Sequence, residues 1–183
     1  NDVASKKQSY SLAVEKRKQV YDSKTNAINK LLSPINAAVK VSYGRTAKEA
    51  TDVASIIAKI RGANIKSKKT ANPDEATVSQ SYQSFNSKAQ FFADLIANLT
   101  NFGTDYTPAN TEISITELNN RYNDAITANN DVMNNFTQFV QNNKVRIESY
   151  NTLSQIGIRI KDSIKAQYGN NSTEYNLVKG LKI

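Results

Sequence analysis

INAAVKVSYG, residues 35–44, returns with few changes as IKDSIKAQYG at residues 160–169. Both stretches obey I-x-x-x-[V/I]-K-x-x-Y-G. The branched apolar residues stand four apart and a glycine closes each stretch, which is how a helix with one apolar face ends. Arg17-x-x-x-Tyr21 precedes the first copy and Arg146-x-x-x-Tyr150 the second. The two intervals from arginine to Tyr-Gly differ by four residues, about one helical turn. The pattern reads as two related helical hairpins, repeat halves 8–62 and 114–183, joined by a helix over 73–102. The expected fold class is therefore all-α: an elongated antiparallel helical bundle of about five helices in a single domain, 1–183, with a weak internal repeat of helical hairpins.

Reading outward, the seam Tyr10, Val14, Arg17, Tyr21, Lys24, Ile28, Leu31, Ile35, Ala38 and Ser42 alternates steps of four and three, as a coiled-coil face does. Ser33-Pro34 falls inside it, and proline's missing N–H predicts a kink or break there. Thr46-Ala-Lys-Glu49 is a capping box for a second helix with the face Val53, Ile56, Ile57 and Ile60. Asn72-Pro73-Asp74-Glu75 is a helix start, followed by Val78, Tyr82, Phe85, Ala89, Phe92, Ile96 and Leu99, the most apolar face in the chain. Ser114-Ile-Thr-Glu117 is another capping box, with Ile113 and Leu118 placed as a hydrophobic staple. A helical pattern then runs to Tyr168, either unbroken, at roughly 80 Å for 1.5 Å per residue, or broken near residue 142. Asn171-Ser-Thr-Glu174 starts a short last helix.

The 183 residues are 39% hydrophobic, so the core depends on where the apolar residues fall. Cysteine and histidine are absent. Disulfides, thiolate metal sites, the usual general base and a histidine-ligated di-iron bundle are thereby excluded. The phosphate-binding loop, the dinucleotide glycine fingerprint and a Ser-x-x-Lys nucleophile are missing too. The expectation is a protein that is not an enzyme and carries no cofactor. No apolar run reaches the roughly 18 residues of a membrane span. Missing cysteine favours a cytoplasmic setting slightly over a periplasmic or secreted one; the latter would follow if a signal preceded Asn1.

The net charge of +8 is unevenly spread. Residues 1–73 hold 15 Lys/Arg against 5 Asp/Glu, residues 74–135 hold 2 against 8, and residues 136–183 hold 7 against 3. The plain explanation is that basic and acidic segments complement one another in the fold; the alternative is a basic face for nucleic acid or anionic lipid. Lys59, Arg61, Lys66, Lys68 and Lys69 form a basic run able to touch phosphates, without the interleaved aromatics of base readout. Arg17 and Arg146 each precede a tyrosine by one turn. They read first as arginines whose stems pack in the core, and second as paired anion-recognition positions. Glu117, Asp124 and Asp131 stack along one helix, too far apart along its axis to share a cation.

At SYQSFNSKAQFFADLIANL (81–99), DYTPANTEISITEL (105–118) and YGNNSTEYNLVKGLKI (168–183) the chain resembles an uncharacterised family of small all-helical proteins from Bacteroidota-type bacteria. The resemblance implies an Arg-x-x-x-Tyr first helix, a phenylalanine-rich third helix and a Tyr-Gly to Gly-Leu-Lys ending, with no activity, cofactor or catalytic residue attached. Pro34 departs from the uninterrupted first helix it implies. The expected function is a non-enzymatic structural or protein-interaction bundle, with a protein partner or self-association. The alternatives are nonspecific nucleic-acid binding through the basic ends and an envelope-associated helical protein.

Overall fold

The computed structural model describes residues 2–62 and 84–182. Among them the helices are α1 (Asp2–Lys18), α2 (Ile28–Tyr43), α3 (Lys48–Ile60), α4 (Phe85–Asn101), α5 (Ile115–Tyr168) and α6 (Thr173–Val178). A π-helical turn, Gln19–Ser23, follows α1, and two 3-10 turns, Gly103–Asp105 and Thr111–Ile113, lie between α4 and α5. No strand occurs among the described residues, so the fold is all-α. The chain groups into two compact units whose boundaries differ from those of the repeat halves. Ser11–Asn134 forms one unit, and Asn1–Tyr10 with Asn135–Ile183 forms the other.

The first helix stops earlier than Pro34. Lys24 is extended (φ −69°, ψ 157°), and so is Ala27, the residue before α2. Around this break stand Asp22, Ser23, Thr25 and Asn26, whose short polar side chains compete with the helical backbone for hydrogen bonds. Asp22 Oδ1 accepts a hydrogen bond from Asn29 Nδ2 across the break. Pro34, by contrast, lies inside α2 without ending it. Its missing N–H frees only the carbonyl of Lys30, an exposed residue whose carbonyl can turn to water.

The core of Ser11–Asn134 is a set of apolar helix faces turned together. α2 contributes Ile28, Leu32, Ile35 and Val39, α3 Val53 and Ile60, α4 Phe92, Leu95 and Leu99, and α5 Leu118, each almost fully withdrawn from solvent. α3 packs on both α2 and α4. The entry to α5 is fixed locally: Ser114 Oγ accepts the Glu117 N–H at 3.3 Å, while Ile113 and Leu118 are both buried, the geometry of a staple. Tyr106 closes the preceding loop by donating its hydroxyl proton to the Ile113 carbonyl at 2.8 Å.

Three further helix starts differ from the sequence reading. α3 is preceded by Ala47, with no side-chain cap, so Thr46 does not close a capping box. Lys48 pairs instead with Asp52 at 2.7 Å across the first turn. α4 begins at Phe85, not at residue 73, because Ser84 is extended and its Oγ accepts the Ser87 N–H at 3.0 Å. The start signal at 72–75, Val78 and Tyr82 lie outside the described residues. α6 is capped by Ser172, one residue after Asn171, through the Tyr175 N–H at 3.0 Å. α5 runs without a break past residue 142, since Asn142 turns its side chain back to the Gln138 carbonyl at 2.9 Å and leaves the helix intact.

The two repeated stretches end alike in detail. Gly44 (φ 95°) and Gly169 (φ 90°) take the positive φ that glycine alone adopts freely. Each donates its N–H four residues back, to Lys40 at 3.0 Å and Lys165 at 2.9 Å. Three residues later Ala47 and Ser172 start the next helix. Their burial differs: Ile35 and Val39 are inside, whereas the matching Ile160 is exposed and Ile164 only half-buried.

This burial pattern sets an expectation for stability. Phe92→Ala removes a ring from the centre of the core and lowers the unfolding free energy by about 3–5 kcal/mol. Leu153→Ala, at a half-exposed position on α5, changes it by about 0.5 kcal/mol or less. Urea unfolding followed by far-UV circular dichroism reads both; equal losses would contradict the core assigned here.

Candidate functional site

The charged residues singled out by the sequence are placed differently from one another. Arg17 lies half-buried with its guanidinium carbon 4.0 Å above the centre of the Phe85 ring. Its Nε is buried without a hydrogen-bonding partner among the described residues. One turn on, Tyr21 is fully buried and meets the Phe85 ring edge-on, with centroids 4.8 Å apart. The Tyr21 hydroxyl donates to the Phe85 carbonyl at 3.0 Å and accepts from Asn129 Nδ2 at 3.1 Å. Asn129 Nδ2 also reaches Asn86 Oδ1 at 3.2 Å. Arg17-x-x-x-Tyr21 thus joins the π-turn, the start of α4 and the first third of α5. Burial, the largest effect, raises the Tyr21 pKa, against the opposing pull of the Asn129 hydrogen bond and the Arg17 charge.

Arg146 and Tyr150 have the same spacing on α5 and no such setting; both are exposed. The structure therefore does not place Arg17 and Arg146 in equivalent surroundings. Lys59 lies 5.5 Å from the centre of the Phe91 ring, and Arg61 donates to Ser33 Oγ at 2.7 Å. Both therefore engage neighbours within the fold. Lys66, Lys68 and Lys69 lie outside the described residues. The acidic stripe is matched by cations: Arg121 bridges Glu117 at 3.4 Å and Asp124 at 2.9 Å, and Lys16 meets Asp131 at 3.2 Å. No cluster of three metal-ligating side chains occurs among the described residues.

A groove of about 340 Å³ opens between α2 and the 104–113 loop, lined by Pro34, Ala38, Val41, Tyr106, Pro108 and Ile113 among others. It carries no charged side chain. Burial pushes the pKa of Tyr106, on its wall, up to about 12.

Among the described residues a long run of exposed large apolar side chains lies on α5 between Phe136 and Ile160. Phe136, Val140, Val145, Ile147, Tyr150, Leu153, Ile156, Ile158 and Ile160 are each 45–65% exposed. At 100° per residue they span roughly 220° of the helix surface, far more than the roughly 100° stripe that one-sided packing needs. Tyr10 of α1 covers the start, with its ring 5.4 Å from Phe136 and 6.4 Å from Phe139. At the far end α6 folds back: Lys165 lies over the Tyr175 ring at 5.8 Å, and Lys161 Nζ donates to the Leu181 carbonyl. Among the described residues no helix is long and apolar enough to cross a membrane.

The helical pattern that the sequence shows up to Tyr168 runs through Phe136, Val140, Ile147, Tyr150, Leu153 and Ile160, and it does not include Val145, Ile156 and Ile158. Val145 and Ile158 fall off the run through the others, while Ile156 lies three residues after Leu153 and four before Ile160; a helix with apolar residues off its seam has more than one face to cover. Compared with known proteins, the chain matches no family model, no curated protein and no solved structure.

Two outcomes follow from the tyrosine and arginine settings. Tyr106 resists ionisation in the fold relative to its ordinary pKa of about 10, so its contribution to stability is full below pH 10 and is lost as pH rises from 10 towards 12. Titration at 295 nm should show Tyr21, Tyr43 and Tyr106 ionising later than a free tyrosine, and Tyr106→Phe should remove one of these late steps. Arg17→Ala should cost about 1–2 kcal/mol through the lost ring contact and stem packing, and Arg146→Ala close to nothing. Thermal melts of the two variants compare them directly; equal shifts would show that Arg17 is no more structural than Arg146.

Proposed function

We propose that this chain is a non-enzymatic helical scaffold that works by protein–protein contact, with the second half of α5 as its working surface. The observation that supports the reading is the broad apolar exposure of α5 between Phe136 and Ile160. Elsewhere among the described residues exposed large apolar side chains such as Leu12 and Val41 stand singly, so a run of them along one helix is a departure that a partner would relieve. The placed candidates for nucleic-acid contact favour it less. Arg17 and Lys59 are half-buried against Phe85 and Phe91, and Arg61, though exposed like Arg146, already donates to Ser33.

The test is retention of partners by the tagged full chain from native lysate near physiological salt, with and without nuclease, followed by mass spectrometry. A protein partner retained after nuclease, and lost when Leu153 and Ile156 are changed to glutamate, is the expected result. Recovery of nucleic acid, or loss of all bound material with nuclease, would replace this reading by nonspecific nucleic-acid binding through the basic ends.

A further inference from the structure

Val145, Ser149, Thr152, Ile156, Ile160 and Ser163 succeed one another at steps of three and four, and so form one stripe along α5. Val145, Ile156 and Ile160 stand exposed in it. Ser149 and Thr152 are already satisfied within the helix: Ser149 Oγ donates to the Val145 carbonyl at 2.9 Å and Thr152 Oγ1 to the Glu148 carbonyl at 3.0 Å. An apolar surface can cover both without stranding a hydroxyl. Two shallow hollows lie on the stripe, one at Val145, Ser149, Thr152 and Ile156, the next at Ile156, Arg159, Ile160 and Ser163. Small residues form the hollows and branched residues stand between them, the relief that helix pairing by knobs and holes requires.

One edge of the stripe carries Lys144, Glu148, Asn151, Gln155, Arg159 and Asp162, all within roughly 80° at 3.6 residues per turn. Along the chain their order is positive, negative, amide, amide, positive, negative. Read backwards it is negative, positive, amide, amide, negative, positive. A two-fold axis passing between two antiparallel copies, level with Leu153 and Ser154, brings the same edge of each together. Lys144 then stands level with the partner's Asp162, Glu148 with the partner's Arg159, and Asn151 with the partner's Gln155. Within the chain Lys144 and Glu148 are only loosely paired, at 3.9 Å, and both are largely exposed, so they are free to face a second helix. The same operation sets Val145 against the partner's Ser163, Ile156 against the partner's Thr152 and Ile160 against the partner's Ser149, large against small at each level. A parallel pairing would carry the two copies of this edge to opposite sides of the interface, where these charges do not meet.

We propose that a second copy of this chain docks antiparallel on the 145–163 stripe of α5, making the protein a homodimer. The proposal rests on the protein-contact reading above and names the partner. Sedimentation velocity of the full chain from about 1 to about 100 μM tests it, with a dimer expected within that range. Glu148→Arg alone and Arg159→Glu alone each turn two attractions repulsive and should weaken the dimer about tenfold or more. An equimolar mixture of the two variants should associate as tightly as the parent chain, because each altered position then faces the other. Ile156→Lys, at an exposed site, should abolish the dimer and leave the helical circular dichroism unchanged. A parent chain monomeric at about 100 μM, or charge variants that dimerise like the parent, would overturn the proposal. A monomeric chain that still retains a nuclease-resistant partner would drop this inference and keep the broader reading; one that retains none would end both.

Discussion

A fully buried hydroxyl has to find its partners inside, and the Tyr21 hydroxyl finds them on two different helices. It gives its proton to the Phe85 carbonyl and takes one from Asn129. Phe85 opens α4, and Asn129 lies on α5 more than a hundred residues along the chain from Tyr21. Leaving such a group unanswered costs about 1–3 kcal/mol, so the three elements are held at positions that satisfy it. The Phe85 ring then receives the Arg17 guanidinium from above, and the faces of α2, α3 and α4 close around the result. A polar contact thus fixes registration, and the apolar faces supply most of the stabilisation.

Much of this was legible in the sequence. The four-three spacing from Phe85 to Leu99 marks the α4 face, the glycines at 44 and 169 mark two helix ends, and Ile113 and Leu118 mark the entry to α5. What escaped was set by competition between local preferences. Proline at 34 looked like the breaker, yet one missing N–H on an exposed turn costs less than four short polar residues tempted away from the helix at 22–26. Thr46 and Glu49 have the letters of a capping box, but the backbone placed Ala47 at the start of α3. Spacing shows which residues share a face and cannot show whether another helix covers that face.

The two copies of the Tyr-Gly ending make that limit concrete. Their hydrogen bonds and glycine angles agree closely, because they depend only on residues within one turn. Their burial disagrees, because it depends on neighbours elsewhere in the chain. Around α2 the neighbours are α3, the π-turn and the turn at Thr111–Ile113. Arg17 and Arg146 part company for the same reason: the first has Phe85 beneath it, and the second stands in water. A shared local pattern therefore transfers helix geometry reliably and transfers the role of a side chain only with its surroundings.

The π-turn at Gln19–Ser23 bears on how the chain can change length over time. Lys24 donates to the Gln19 carbonyl five residues back, at 3.2 Å, so this turn holds one residue more than an ordinary one. Two consecutive side chains, Val20 and Tyr21, can then both turn inward. A residue lost here lets the turn tighten into an ordinary α-turn and leaves α2 in place beyond the break. A residue lost in the middle of α5 has no such slack and rotates everything after it by about 100°. Insertions and deletions among descendants of this chain should accordingly gather at the π-turn and spare α5.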